Sequence, residues 1–292
     1  MSRFETTIST KLDHDRKMDF SLLTENNRSK LKETVRIFGV NVDNINCQTA
    51  MGKIRTCVMD NDQTSRMSVF FANVHTIHLA KNDPVFKHHI NNADLVLPDG
   101  SGLKLAGKLF RTPIIENLNG TDFTPKLLGT AMAKGWSVYL LGALPDVIEQ
   151  CQKRLLQMFP QLKILGYHDG YSLKEMERFV IEDINVKQPD ILLTALGSPL
   201  QEEWISKHFD ELNVRVCLGV GGLFDFIAGS KRRAPVWMRN TGIEWIYRFL
   251  QDPSTKWQRV FVEIPLFLSL VAVESIRHPQ GKSIDLSEGV SI

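Results

Sequence analysis

A chain of 292 residues, 43% hydrophobic and 23% charged, is long enough to bury one large core and has the composition of an ordinary soluble globular protein. A formal net charge of +2 supplies no global attraction for nucleic acid, so any cationic contribution must be local. The four cysteines, Cys47, Cys57, Cys151 and Cys217, have no CxxC spacing, which argues against a zinc site or a disulfide framework and fits a reducing compartment.

Residues 1–33 are polar and read as a tail, with no apolar core like that of a signal peptide. No stretch reaches the ~20 apolar residues of a membrane-spanning helix, so a cytoplasmic location is expected. Val35 to Val40 alternates like a single short strand, and Asn46 to Asp60 has helical spacing. Ser68 to Ala72 reads as a buried strand ending at Asn73, with a helix over Val74 to Asn82. A second apolar run, Ala93 to Leu97, empties into Pro98-Asp99-Gly100-Ser101-Gly102, and a helix follows to Leu109. From Ser137 onward strand and helix alternate plainly. Strands are expected at Ser137–Leu141, Lys163–Tyr167, Asp190–Leu196 and Val214–Val220. Helices are expected at Pro145–Phe159, Ser172–Val186 and Leu200–Phe209. This spacing means βαβ units: an α/β, Rossmann-like, mostly parallel sheet with helices on both faces.

The composition changes at Lys231-Arg232-Arg233-Ala234-Pro235, after which Trp237, Trp245, Tyr247, Phe249 and Trp257 interleave with Arg239, Arg248, Lys256 and Arg259. Trp257, Val260, Phe261, Ile264, Leu268 and Val271 follow helical spacing, and Pro265 should kink that helix. The run Val260 to Val273 carries one charge, Glu263. It suits either a helix packed on the domain's own core or an interfacial helix whose basic neighbours face lipid phosphates. The expected division is therefore a tail (1–33), a Rossmann-like domain (34–235) and a C-terminal basic and aromatic helical appendage that associates with membrane (236–292).

In an open α/β sheet, ligands bind beyond the carboxyl ends of the strands. Asn73, Asp99 and the Asn119-Gly120-Thr121-Asp122 segment are expected at that edge, with Thr121 and Asp122 able to cap the next helix. Asp99 is an exposed carboxylate a reaction could use, or a helix cap. Glycine turns at Gly142, Gly197 and Gly219-Val220-Gly221-Gly222 could cradle a phosphate. No GxxxxGK[ST] and no full GxGxxG after the first strand are present, so a dinucleotide-dependent oxidoreductase is a weak reading. His75 and His78 lie three apart on one helix with no matching acidic partner, which suits surface or satisfied histidines better than a metal site. Gln201-Glu202 at a helix start reads as a cap more readily than as a contact to sugar hydroxyls.

These motifs together resemble the WecG/TagA/CpsF family of glycosyltransferases. The resemblance rests on Asn73, Leu97 to Gly102, Gly120-Thr121-Asp122, Leu140-Leu141-Gly142 and Ala195 to Glu202. It continues through Gly219 to Gly222 with Phe224-Asp225, Arg233 to Trp237, Gly242 to Trp245, and Tyr247-Arg248. It implies an inverting hexosyltransferase that needs neither metal nor cofactor. The donor would be a UDP-sugar (N-acetylmannosamine, N-acetylmannosaminuronic acid or glucose type) and the acceptor a polyprenyl-diphosphate-linked saccharide. The setting would be surface or exopolysaccharide synthesis, peripheral on the inner face of the cell membrane. Asp99 would be the general base. Asn73, Gly100, Gly120, Thr121, Asp122, Gly142, Gly197, Gln201, Gly221, Arg233 and Arg248 would line the substrate site, with Lys256 and Arg259 as further cationic candidates. Nucleic acid is not an expected partner; a homo-oligomer is. Asn117 stands where the family usually has Arg, and Phe71 where it commonly has Thr. These departures motivate the alternative of a non-catalytic, lipid-surface-binding protein on the same fold.

Overall fold

The computed structural model describes residues 33–62 and 65–277. The expected tail, apart from Glu33, lies outside them. The fold opens with a hairpin where one strand was expected: β1 (Thr34–Ile37) and β2 (Val40–Asp43) pair antiparallel. Phe38 and Gly39, at φ 47 and 82, make the two-residue turn, in the left-handed conformations that match hairpin twist. The alternation of buried Val35, Ile37, Val40 and Val42 runs straight through that turn, which is why it reads as one strand.

The main sheet has six parallel strands in the order β4-β3-β8-β7-β5-β6. They are β3 (Met67–Ala72), β4 (Leu95–Pro98), β5 (Ser137–Gly142), β6 (Lys163–His168), β7 (Ile191–Ala195) and β8 (Val216–Gly219). β3, β4, β7 and β8 are almost continuous apolar runs because both faces of a parallel sheet are covered. Successive side chains then feed two separate cores. Phe70, Ala72, Val96 and Leu192 pack on one face, and Val69, Phe71, Leu97 and Leu193 on the other.

On the first face lie α2 (Val74–Asn82), α3 (Pro84–Asn91), α4 (Ser101–Leu109), α7 (Leu173–Lys187) and α8 (Leu200–His208); α1 (Cys47–Met59), α5 (Gly120–Lys134), α6 (Pro145–Met158) and α9 (Leu223–Ala228) cover the second. α3 goes beyond the expected elements; Asp83 caps it by accepting from the Val85 and Phe86 amides, and Pro84 starts it. Asn119 caps α5 by accepting from the Asp122 amide, so the cap is neither Thr121 nor Asp122. Gln201 and Glu202 do not cap α8, which has no side-chain cap.

Beyond residue 235 the chain forms short helices, α10 (Val236–Asn240), α11 (Glu244–Gln251) and α12 (Pro253–Gln258), then a π-helical turn (Arg259–Glu263) and α13 (Ile264–Arg277). The irregularity falls just before Pro265, whose missing N–H leaves the Phe261 carbonyl without its i+4 donor, and the Ile264 amide reaches back five residues to Arg259. The inward stripe of α13 shares Val271 with the one the spacing suggests but takes in Phe267 in place of Leu268. Phe267 and Val271 are 4% and 0% exposed and join the first core, whereas Phe261 and Leu268 are 64% and 40% exposed. No helix among the described residues is long and apolar enough to cross a membrane.

Candidate active site

The β3–β4 register pairs Phe71 with Leu97 and Ala72 with Pro98, so the next residue on each strand, Asn73 and Asp99, arrives side by side at the carboxyl edge. The Asp99 amide donates to the Ala72 carbonyl (2.7 Å) and the Asn73 amide group reaches the Asp99 carboxylate at 3.5 Å. Asn73 is held for this role by its other end, which caps α2 by accepting from the Thr76 amide (3.2 Å). Asp99 caps nothing; Gly100, at φ 99, occupies the cap position of α4 without a side-chain bond. Instead of being fully exposed, Asp99 is half-buried. Burial pushes its carboxyl above the ordinary value, in the same direction as the nearby Glu244, while Arg248, Arg259 and the Asn73 hydrogen bond pull it down.

Both departures from the family pattern have structural occupations. The Asn117 side-chain oxygen accepts from the Gly100 amide (2.6 Å), fixing the turn that carries Asp99. Phe71 is 8% exposed and points into the second core. Its ring meets that of Phe123 edge-on at 6.0 Å and fills the space over Gly120.

Asp122 is a fastener. It accepts from Arg233 (2.7 Å) and from the Asn119 amide group (2.9 Å), with Arg239 at 3.8 Å. Burial alone would raise its carboxyl, but Arg233, Asn119 and Arg239 together hold it down at about 2. Thr121 donates to Asn119 (2.7 Å). Arg233 and Thr121 are thus engaged within the protein, and Arg248 donates twice to Glu244 (2.8 and 3.0 Å) while lying over the Phe226 ring. Arg259 differs: it has no ion pair among the described residues, yet it lies within the electrostatic reach of Asp99, Arg248 and Glu263. Lys256, with its charge disfavoured by burial and then by Arg259 and Lys231, completes a cationic cluster. Among the described residues no three of His, Cys, Asp and Glu converge as metal ligands.

The glycine turns lie along the same edge, ordered by pairings of Gly142 with Ala195 and of Thr194 with Gly219. A Cβ at Gly142 would strike the Ala195 carbonyl, so β5 and β7 close tightly there. Gly197 and Gly221, at φ 79 and 56, face open space, where a ligand can approach the backbone. Gln201 ties these turns together. Its side-chain oxygen accepts from the Gly221 amide (2.8 Å) and its amide donates to Glu202 (2.8 Å), which also accepts from the Ser198 hydroxyl (2.7 Å). Glu202 is fully buried, and burial raises its carboxyl to about 7 against those two hydrogen bonds. Sequence reasoning missed this network, because QE at a helix start also spells a cap.

His75, expected to lack an acidic partner, has one: its Nδ1 lies 2.8 and 3.0 Å from the two carboxylate oxygens of Glu263. Glu263 comes from 188 residues further along the chain, so no local pattern could have found it.

The glycosyl transferase WecG/TagA/CpsF family model matches residues 35–281, which takes in every residue of the site just described. The chain belongs to this family. Two relatives from Staphylococcus aureus, strains MW2 and COL, are each 32% identical over 240 residues, covering 82% of this chain and 92% of theirs. Both are named N-acetylglucosaminyldiphosphoundecaprenol N-acetyl-beta-D-mannosaminyltransferase. The chain is accordingly a glycosyltransferase of the WecG/TagA/CpsF type, and the oxidoreductase and non-catalytic readings fall.

Proposed function

We propose that this WecG/TagA/CpsF protein transfers one hexose from a UDP-sugar to a polyprenyl-diphosphate-linked saccharide, with inversion and with Asp99 as general base. The observation that carries the reading is the Arg248, Arg259 and Lys256 cluster beside a half-buried carboxylate. The acceptor hydroxyl gives its proton to Asp99 as its oxygen attacks the anomeric carbon from the face opposite the leaving group. The anomeric C–O bond to the diphosphate breaks, and its electron pair stays with the UDP oxygen. A carboxylate in this position contributes roughly 10²–10⁴-fold. The leaving charge is met by Arg259, Arg248 and Lys256, Arg offering a planar fork to phosphate oxygens. Gly100, Gly197 and Gly221 face open space and let substrate approach the backbone, whereas Gly120 is covered by Phe71 and Gly142 by the Ala195 backbone, so those two shape the edge without contacting substrate. Gln201 fixes the Gly221 turn, and Arg233 with Asp122 and Thr121 braces the α5 end of the site.

The acceptor class is supported by the names of the relatives, and N-acetylmannosamine is for that reason the first donor sugar to try. The basic and apolar segment 236–292 acts as the appendage that brings the enzyme to the cytoplasmic membrane surface, where its substrate resides. The test is UDP release from a panel of UDP-hexoses with a short polyprenyl-diphosphate saccharide, EDTA present. Acceptor-dependent release from one donor is expected, falling by at least ~10²-fold in Asp99→Asn. Turnover close to wild type in that variant would remove Asp99 from the role, and loss of release on adding EDTA would overturn the metal-free scheme.

A further inference from the structure

A buried carboxylate needs a partner, and Glu263, 7% exposed in an otherwise apolar run, finds it in His75. The two ends of this contact belong to two parts of the site. His75 is on the first turn of α2, two residues from Asn73, whose amide faces Asp99. Glu263 closes the π-helical turn that begins at Arg259, whose guanidinium has no ion pair among the described residues and lies within electrostatic reach of Asp99. Single π-helical turns inside helices are frequent at functional sites. Beside this contact α2, α4 and α13 pack closely, since a Cβ on Gly102 would collide with Val74 and lie 3.7 Å from Phe267.

We propose that His75 and Glu263 are positioning residues: a hydrogen-bonded latch that docks the Arg259–Glu263 turn on the start of α2 and so holds Arg259 against the leaving diphosphate. The latch rests on the reading of Asp99 and Arg259 given above, and it adds two residues that touch neither substrate.

The experiment compares the full-length wild type with Glu263→Ala, His75→Ala, His75→Gln and the exchanged pair His75→Glu/Glu263→His. Three readouts are taken: amide hydrogen exchange over residues 259–263, UDP affinity by calorimetry, and kcat and KM for the donor. Glu263→Ala and His75→Ala are expected to exchange faster in that turn and to weaken UDP binding and raise donor KM about tenfold or more, within the ~10²-fold that a 1 Å misplacement can cost. His75→Gln, which keeps a side-chain donor, and the exchanged pair should both return toward wild type. Wild-type exchange and UDP affinity in the two single variants would overturn the latch. So would failure of both rescuing variants, which would mean that the residues act separately. If the wild type itself does not bind UDP, the donor reading fails, whereas the exchange data still decide whether the pair docks the turn.

Discussion

At Asp99 two opposing influences fix when the base is available. Burial raises its carboxyl, and Arg248 and Arg259 lower it. A base must be ionised to accept a proton, so kcat/KM should fall as pH drops through the Asp99 value, which burial raises from that of a free aspartate. Removing a neighbouring cation removes a lowering influence, so Arg259→Gln should move that acid limb to higher pH, measured as a pH–rate profile. A limb that stays put would mean Arg259 does not act on Asp99. Asn117→Ala leaves the Gly100 amide without its acceptor, at a cost of about 1 kcal/mol. Because the same turn carries Asp99, kcat should fall more than the melting temperature suggests. Phe71→Thr, which restores the family's common residue, vacates space against Phe123 and Gly120. It should cost on the order of 3 kcal/mol, near the low end for losing a core ring, and appear as a lower Tm.

Among the elements, legibility from sequence followed the range of the determining contact. Strands buried on both faces and helices with local caps are written in consecutive residues, and β3, β4, β5 and β7 appear within a residue or two of their expected bounds. Asp99 and Asn73 were legible for the same reason, each following a short apolar run. What escaped depended on distant partners. The Phe38-Gly39 turn contains no residue pair typical of hairpins, the inward stripe of α13 is set by the core it meets, and the Gln201–Gly221 and His75–Glu263 contacts join separate elements. The same holds for His208 at the far end of α8, 4% exposed and hydrogen-bonded to Glu177 (2.9 Å) and Glu211, which join α7 to the segment after α8. Burial would raise Glu177, but Lys207 and His208 hold it below its usual value. Its contribution is therefore present above the ordinary carboxylate range and is lost as pH falls through the lowered value. His208→Ala breaks this clamp and should destabilise by about 1–3 kcal/mol in thermal melts, leaving turnover per folded molecule unchanged.

For the whole molecule, residues 236–277 present two faces, one to the core and one to solvent. Phe267 and Val271 complete the first core, while Trp257 (50% exposed) and Phe261 (64% exposed) look outward beside Lys256 and Arg259. The double variant Trp257→Ser/Phe261→Ser should sediment less with anionic liposomes at an unchanged Tm. Phe267→Ala should lower Tm, on the order of 3–5 kcal/mol of stability being lost with the ring. Reduced sedimentation of Phe267→Ala at full stability, with the serine pair unaffected, would reverse the assignment of the faces. Deletion past Asp252 should do both kinds of damage, because it removes core and surface together.

The edge-on contact of Phe38 with Phe267, ring centres 5.9 Å apart, joins the opening hairpin to the closing helix. A nascent chain therefore cannot finish the first core until α13 has emerged from the ribosome. Until then Phe38, Phe110 and the outer faces of α2 and α4 await their cover. Exposed apolar surface of this kind makes an unfinished chain prone to stick to its neighbours. The enzyme gains its cationic turn and its complete core in the same late event, so a chain that has not yet closed its fold has not yet assembled its site either.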